Sequence, residues 1–209
     1  MLKDYWNKFQ ISKFGLEFSY ENLYNVYIKG DSYMYEGLFQ RIKMADFPIE
    51  CRATYAFAKY KHKQTGAVRK GSGLPYFVHP KGVALIVLEN GGSIDQINAA
   101  LLHDTLEDTE TSSLELKKLF GEEVASMVWE LTNSKIHIEA LGKEEYLNEK
   151  LKIISEEALF VKLADMLYNL NDQPQEKAYI RMLKNAASVI MSRKMSDNTR
   201  KLDIQVFGS

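Results

Sequence analysis

Apolar and polar residues follow two different textures along this chain. Up to about Ala45 the sequence is dense in aromatic residues, among them Tyr20, Tyr24, Tyr27, Tyr33 and Tyr35, with a turn signal at Gly30-Asp31. Short aromatic stretches cut by turn residues fit strands, the same spacing fits helix, and both stay open there. From about Phe47 the period becomes helical. Ile49 to Lys61 carries Tyr55, Phe57 and Ala58 at helical offsets. Arg69-Lys70-Gly71-Ser72-Gly73-Leu74-Pro75 is a loop with three strong breakers. His79-Pro80 starts a helix, because proline suits the first helical position; Lys81 to Glu89 follows and stops at Asn90-Gly91-Gly92. Ser93 caps a helix from Ile94 to about Leu106 whose Ile97, Ala100, Leu101 face is buried. Ser112, three residues before Glu115, caps a helix that runs to Phe120 and ends at Gly121. Further helices are expected over about Glu122 to Leu131, Lys143 to Ser155, Ala158 to Leu170 and Glu176 to Arg193. The pattern has no convincing β alternation and predicts an all-α bundle. Three parts follow: residues 1–45 as an aromatic-rich extension, 46–195 as the helical domain, and a polar, loosely held tail over 196–209.

Composition narrows this further. With 209 residues, 45% of them hydrophobic and 26% charged, the chain suits one sizeable core and excludes disordered or low-complexity classes. No apolar run approaches the ~20 residues of a membrane span, and MLKDYWNKFQ has no apolar signal core. Cys51 is the only cysteine, so no internal disulfide forms, which fits a reducing cytoplasm; it reads as a small buried hydrophobe. A net charge of −1 argues against general nucleic-acid or membrane-surface binding and leaves a local anion site open.

Candidate chemistry concentrates in Ala100-Leu101-Leu102-His103-Asp104-Thr105-Leu106-Glu107-Asp108-Thr109. On one helix His103 and Glu107 share a face, as do Asp104 and Asp108. Carboxylates and an imidazole crowded onto an apolar helix need a strong partner, because an unpaired buried charge costs several kcal/mol. A divalent metal supplies one: imidazole nitrogen and carboxylate oxygen suit Mn²⁺, Fe²⁺ or Zn²⁺. The plainer reading is a solvated acidic helix end. His79 at a helix start, and Asp165 between apolar pairs on a buried helix, complete a ligand set; a lone buried aspartate there is otherwise a hydrogen-bonded structural group.

His79, His103-Asp104 and Asp165 follow the order H…HD…D of the HD-type metal-dependent phosphohydrolases. More narrowly, three runs resemble the hydrolase domain of the RelA/SpoT family and its stand-alone small alarmone hydrolases. They are Arg69-Lys70 with Gly73-Leu74-Pro75-Tyr76-Phe77-Val78-His79-Pro80, then Ala99 to Thr109, then Val161-Lys162-Leu163-Ala164-Asp165-Met166-Leu167-Tyr168-Asn169-Leu170. The resemblance covers about Phe47 to Arg193.

That resemblance implies an HD-domain helical bundle holding one metal, usually Mn²⁺, on His79, His103, Asp104 and Asp165. It assigns Glu107 and Asp108 as the catalytic pair that orients and deprotonates the attacking water. It implies a small-molecule nucleotide substrate, (p)ppGpp, whose 3′-pyrophosphate is cleaved to leave GDP or GTP. Arg69, Lys70, Lys135 and Asn169 match substrate-binding positions; Tyr179 is a weaker match and is not expected to take part. Arg69 and Lys70 also read as an ordinary solvated loop pair, and Lys135 as a surface lysine. Met166 departs from the family, many members of which carry a basic residue there, and residues 1–45 have no recognised counterpart. His62 and His137 read as structural or surface groups. The chain's length implies degradation without a synthetase domain. Rival readings are the same chemistry on (p)ppApp, NADPH or a pyrophosphorylated RNA end, and a non-catalytic nucleotide-binding relative. Cytoplasmic location is expected, and a homo-oligomer is left open.

Overall fold

The computed structural model describes residues 41–70, 72–172, 185–187, 189, 190 and 192–207. The expected extension, its aromatic stretches, and Tyr179 lie outside or almost outside these residues. Among the described residues the secondary structure is helical, with 3-10 turns at Met44–Asp46 and Ile49–Cys51 and one isolated bridge, Val68 to Pro75. The helices are α1 (Arg52–Thr65), α2 (Val78–Glu89), α3 (Ile94–Leu102), α4 (Thr105–Asp108), α5 (Ser113–Phe120), α6 (Glu122–Leu131), α7 (Lys135–Leu141), α8 (Lys143–Ile153), α9 (Glu156–Asp172) and α10 (Asp197–Phe207). None is long and apolar enough to cross a membrane.

Local chemistry sets the boundaries. Gly66, at φ +66°, closes α1 in the left-handed conformation that a side chain disfavours. Pro80 sits in the first turn of α2, where a missing N–H costs no intrahelical bond. At Gly92 a Cβ would overlap Val87 and crowd Phe160, so the α2–α3 turn requires glycine. Ser93 and Gln96 form a reciprocal capping box at the start of α3, and Ser112 accepts from the Glu115 N–H at the start of α5.

The core centres on α2, α3 and α9, which pack on one another, with α1 and α6 against α3 and α10 against α9. Leu101, Leu102, Leu159, Leu163 and Tyr168 are fully buried there. Cys51 is buried among these apolar residues, as its lack of a partner implied.

Three expectations need correction. The helix expected to continue through Leu106 ends at Leu102, and His103 and Asp104 form a turn before α4. Side chains there supply donors to the final carbonyls: His103 Nδ1 lies 2.8 Å from Ala100 O, and Thr105 Oγ1 donates to Leu102 O at 2.7 Å. Helix α7 was not expected, since its Ile136 is 77% exposed and no apolar stripe marks it. Residues 196–207 of the expected tail are not loosely held. Leu202 and Val206 of α10 are buried against α9, and Thr199 and Ser196 bond Glu156.

Candidate active site

Each of the three central helices brings one side chain to a common point. His79 comes from the first turn of α2, His103 from the end of α3, and Asp165 from the middle of α9. One donor atom from each lies within 4.8 Å of the others, and all three residues are buried. His79 Nε2 and His103 Nε2 are 3.2 Å apart, and His79 Nε2 is 3.2 Å from Asp165 Oδ1. Asp104 joins from the turn, with Oδ1 3.1 Å from His103 Nε2 and Oδ2 3.5 Å from His79 Nε2.

Electrostatics couple these groups. Burial disfavours charge on both imidazoles. On His79 it prevails and lowers the pKa; on His103, Asp104 and Asp165 outweigh it and hold the pKa up at about 9. Burial raises the Asp165 carboxyl, but Lys162, donating to Oδ2 at 2.7 Å, and the imidazoles keep it well below the usual carboxylate range. Asp104 is also held low, against its burial, by His103 and His79. Tyr76 donates to Asp104 Oδ2 at 2.9 Å, while burial and that carboxylate push the phenol far up.

This donor set fits a divalent metal. His103 Nδ1 donates to the Ala100 carbonyl, which turns Nε2 toward the cluster, the arrangement by which outer partners orient metal-binding histidines, and a metal there would take the place of the Nε2 proton. Two imidazoles and two carboxylates around one point form a surplus of acceptors that a cation completes.

The other expected residues are placed unevenly. Glu107 and Asp108 line the same cavity of about 290 Å³ as the four residues above. Glu107 is held from outside its own helix: Asn133 donates to it through its backbone N–H at 2.6 Å and its Nδ2 at 3.3 Å. Burial, then Asp104 and Glu107, raise the pKa of Asp108. Arg69 and Asn169 also line the cavity and approach at 3.5 Å, with Asn169 Nδ2 donating to Asp165 Oδ1 at 2.7 Å. Lys70 and Lys135 are exposed and lie outside that lining. Met166 lines it, an apolar surface at that position. His62 is buried away from the cluster, and exposed His137 stacks on Tyr146 at 6.4 Å.

Sequence reasoning missed Lys162, Asn133, Tyr146 and Lys143, all in the lining. Lys162 sits three residues before Asp165, a spacing that signals an ion pair on a helix. Asn133 follows the end of α6, where Lys150 donates to the Leu131 and Thr132 carbonyls at 2.8 and 2.7 Å. No local pattern marks that contact.

A family model described as the HD domain matches residues 54–187, well over half of the chain. The chain belongs to the HD-domain family. This HD domain is 42% identical over 118 residues to guanosine-3′,5′-bis(diphosphate) 3′-pyrophosphohydrolase MESH1 of Xenopus tropicalis, covering 56% of this chain and 65% of that one. It is also 42% identical over 125 residues to the guanosine-3′,5′-bis(diphosphate) 3′-pyrophosphohydrolase of Aquifex aeolicus, covering 58% of this chain and 17% of that one. The match thus spans less than two thirds of the length of either relative. Among solved structures, a metazoan orthologue of SpoT that hydrolyses ppGpp superposes with a TM-score of 0.65 at 27% identity, over 78% of this chain and 96% of the other. The all-α architecture is therefore that of the HD domain.

Proposed function

We propose that this HD domain hydrolyses the 3′-pyrophosphate of (p)ppGpp to GDP or GTP plus pyrophosphate, with Mn²⁺ held by His79, His103, Asp104 and Asp165. The observation that carries the reading is the convergence of those four side chains, with Glu107 and Asp108, in one cavity of an HD domain similar to the pyrophosphohydrolases. When bound, the metal supplies Lewis-acid polarisation of a phosphoryl oxygen and lowers the pKa of water.

The protein's own groups provide the rest. Water attacks the phosphorus attached to the 3′ oxygen; the new O–P bond forms, the P–O3′ bond breaks, and the nucleoside oxygen leaves with the proton given up by the water. Asp108, whose proton affinity is raised, accepts the proton from water. Glu107, fixed by two Asn133 donors, orients that water. Tyr76 keeps Asp104 in place through its 2.9 Å hydrogen bond. Arg69, Lys143 and Lys162 give the cavity cationic groups for a pyrophosphate, and Asn169 with Arg69 faces the nucleoside. Residues 46–195 form the catalytic unit, and a nucleotide substrate makes the cytoplasm its place of action.

The test incubates purified protein and Mn²⁺ with ppGpp, ppApp and NADPH and separates phosphate from pyrophosphate release. Pyrophosphate release from ppGpp is expected to dominate; a hundredfold preference for either other nucleotide overturns the substrate assignment.

A further inference from the structure

A second and larger cavity, of about 920 Å³, lies between α1, the turn after Ile42 and the segment from Pro75 to Lys81. Tyr76 lines both cavities, with its hydroxyl on Asp104 and its ring 5.3 Å from that of His62. The volume falls in the range of ~300–1,000 Å³ that small-molecule sites occupy.

Its chemistry is one-sided. Lys43, Lys59, Lys63 and Lys81 line it, and no Asp or Glu does among the described residues. Lys81 donates to the Ile42 carbonyl at 3.0 Å, whereas the exposed side chains of Lys43, Lys59 and Lys63 have no acidic partner among the described residues. A chain of net charge −1 has thus gathered four cations around one hollow.

The wall adds a second, independent observation. His62 is 2% exposed, lines this cavity, and neither Nδ1 nor Nε2 has a hydrogen-bond partner. Leaving such buried atoms unsatisfied costs about 1–3 kcal/mol each, so an imidazole with an unused donor and an unused acceptor lies just behind the wall of a cationic groove. Around them are Tyr55, Phe77 and the 61% exposed Tyr60.

We propose that this groove binds a nucleoside phosphate at a site separate from the metal cluster. The exposed Lys43, Lys59 and Lys63 take the phosphates, the aromatic wall takes the face of the base, and a turn of the His62 ring toward the groove brings its donor and acceptor to the edge of the base. An inorganic polyanion uses only the lysines, and an aliphatic ligand leaves His62 unsatisfied. The inference does not depend on which nucleotide the metal site cleaves.

Calorimetric titration of the full chain with GTP, without added metal, tests it. GTP is expected to bind the Arg69→Ala variant, whose metal-site cavity has lost one of its nucleotide contacts, with the lysines of the groove deciding the affinity. The double substitution Lys59→Glu, Lys63→Glu is expected to weaken that binding at least tenfold. Both lysines are exposed, and circular dichroism with metal content checks that fold and cluster persist; Lys59→Ala, Lys63→Ala is expected to give a smaller loss. Guanosine and inorganic triphosphate are each expected to bind at least tenfold more weakly than GTP. Unchanged GTP affinity in the Glu variant overturns the proposal, as does equal affinity for triphosphate, which reduces the groove to a polyanion patch. Absence of GTP binding in Arg69→Ala also overturns it.

Discussion

Lys162 Nζ lies 2.7 Å from Asp165 Oδ2, so the buried carboxylate that faces the two imidazoles with one oxygen meets a half-buried ammonium with the other. Removing one member of such a pair leaves an uncompensated charge at a cost of about 3–5 kcal/mol. Lys162→Met is expected to destabilise the metal-free protein by about that amount, and Mn²⁺ is expected to restore part of the loss by neutralising Asp165 in its place. Thermal unfolding with and without Mn²⁺ measures both.

The two acidic residues of α4 separate under substitution. Asp108→Asn removes the proton acceptor and is expected to lower kcat by about 10²–10⁴-fold with Mn²⁺ content unchanged. Asn133→Ala removes only the 3.3 Å side-chain bond to Glu107 and keeps the 2.6 Å backbone bond, so its loss is expected to stay below about tenfold. Steady-state kinetics with elemental analysis distinguishes them. Loss of metal in Asp108→Asn would show that Asp108 belongs to the ligand set instead.

The cationic residues matching substrate-binding positions divide by place. Arg69 lines the cavity, and Arg69→Ala is expected to raise KM for ppGpp by about 10–100-fold, the worth of a charged hydrogen bond. Lys70 and Lys135 lie outside the lining, and their alanine variants are expected to shift KM less than about threefold, within the worth of an exposed charge.

His62 is one source of pH dependence. Burial lowers its pKa from 6.5 to about 4, so the folded state holds it neutral where the unfolded chain binds a proton. Its contribution is complete above pH 6.5 and declines as pH falls through that value toward pH 4. The acid loss amounts to about 3 kcal/mol, and His62→Phe is expected to flatten that part of the stability curve. Denaturant unfolding from pH 7 to 4 follows it; parallel curves for the two proteins would refute the assignment.

Leu202→Ala tests the C-terminal helix. The side chain is fully buried against α9, and its removal is expected to cost about 2–5 kcal/mol in urea unfolding.

What the sequence disclosed was what local chemistry decides. Ser93, Ser112 and Gly121 mark helix ends by hydrogen bonds within a few residues, and the ends fall where those residues stand. The histidines and aspartates of the cluster were readable because their types are costly on an apolar helix. Helix α10 escaped because Leu202 and Val206 are separated by Asp203 and Gln205, and only packing on α9 makes that spacing a buried stripe. Asn133 escaped for the same reason, since its partnership with Glu107 depends on how the helices converge, whereas Lys162 sits three residues before Asp165 on α9, a spacing readable in the sequence.

The stop at Leu102 has a consequence for how the site tolerates change. His103 turns back onto the Ala100 carbonyl, so the ring's aim is fixed by the winding of the nine residues before it. An alanine inserted anywhere between Ile94 and Leu102 would swing both His103 and Asp104 by about 100° around the axis, away from residues on two other helices. Ile97 to Leu102 are all buried, so that short rod is held in composition as well as in length.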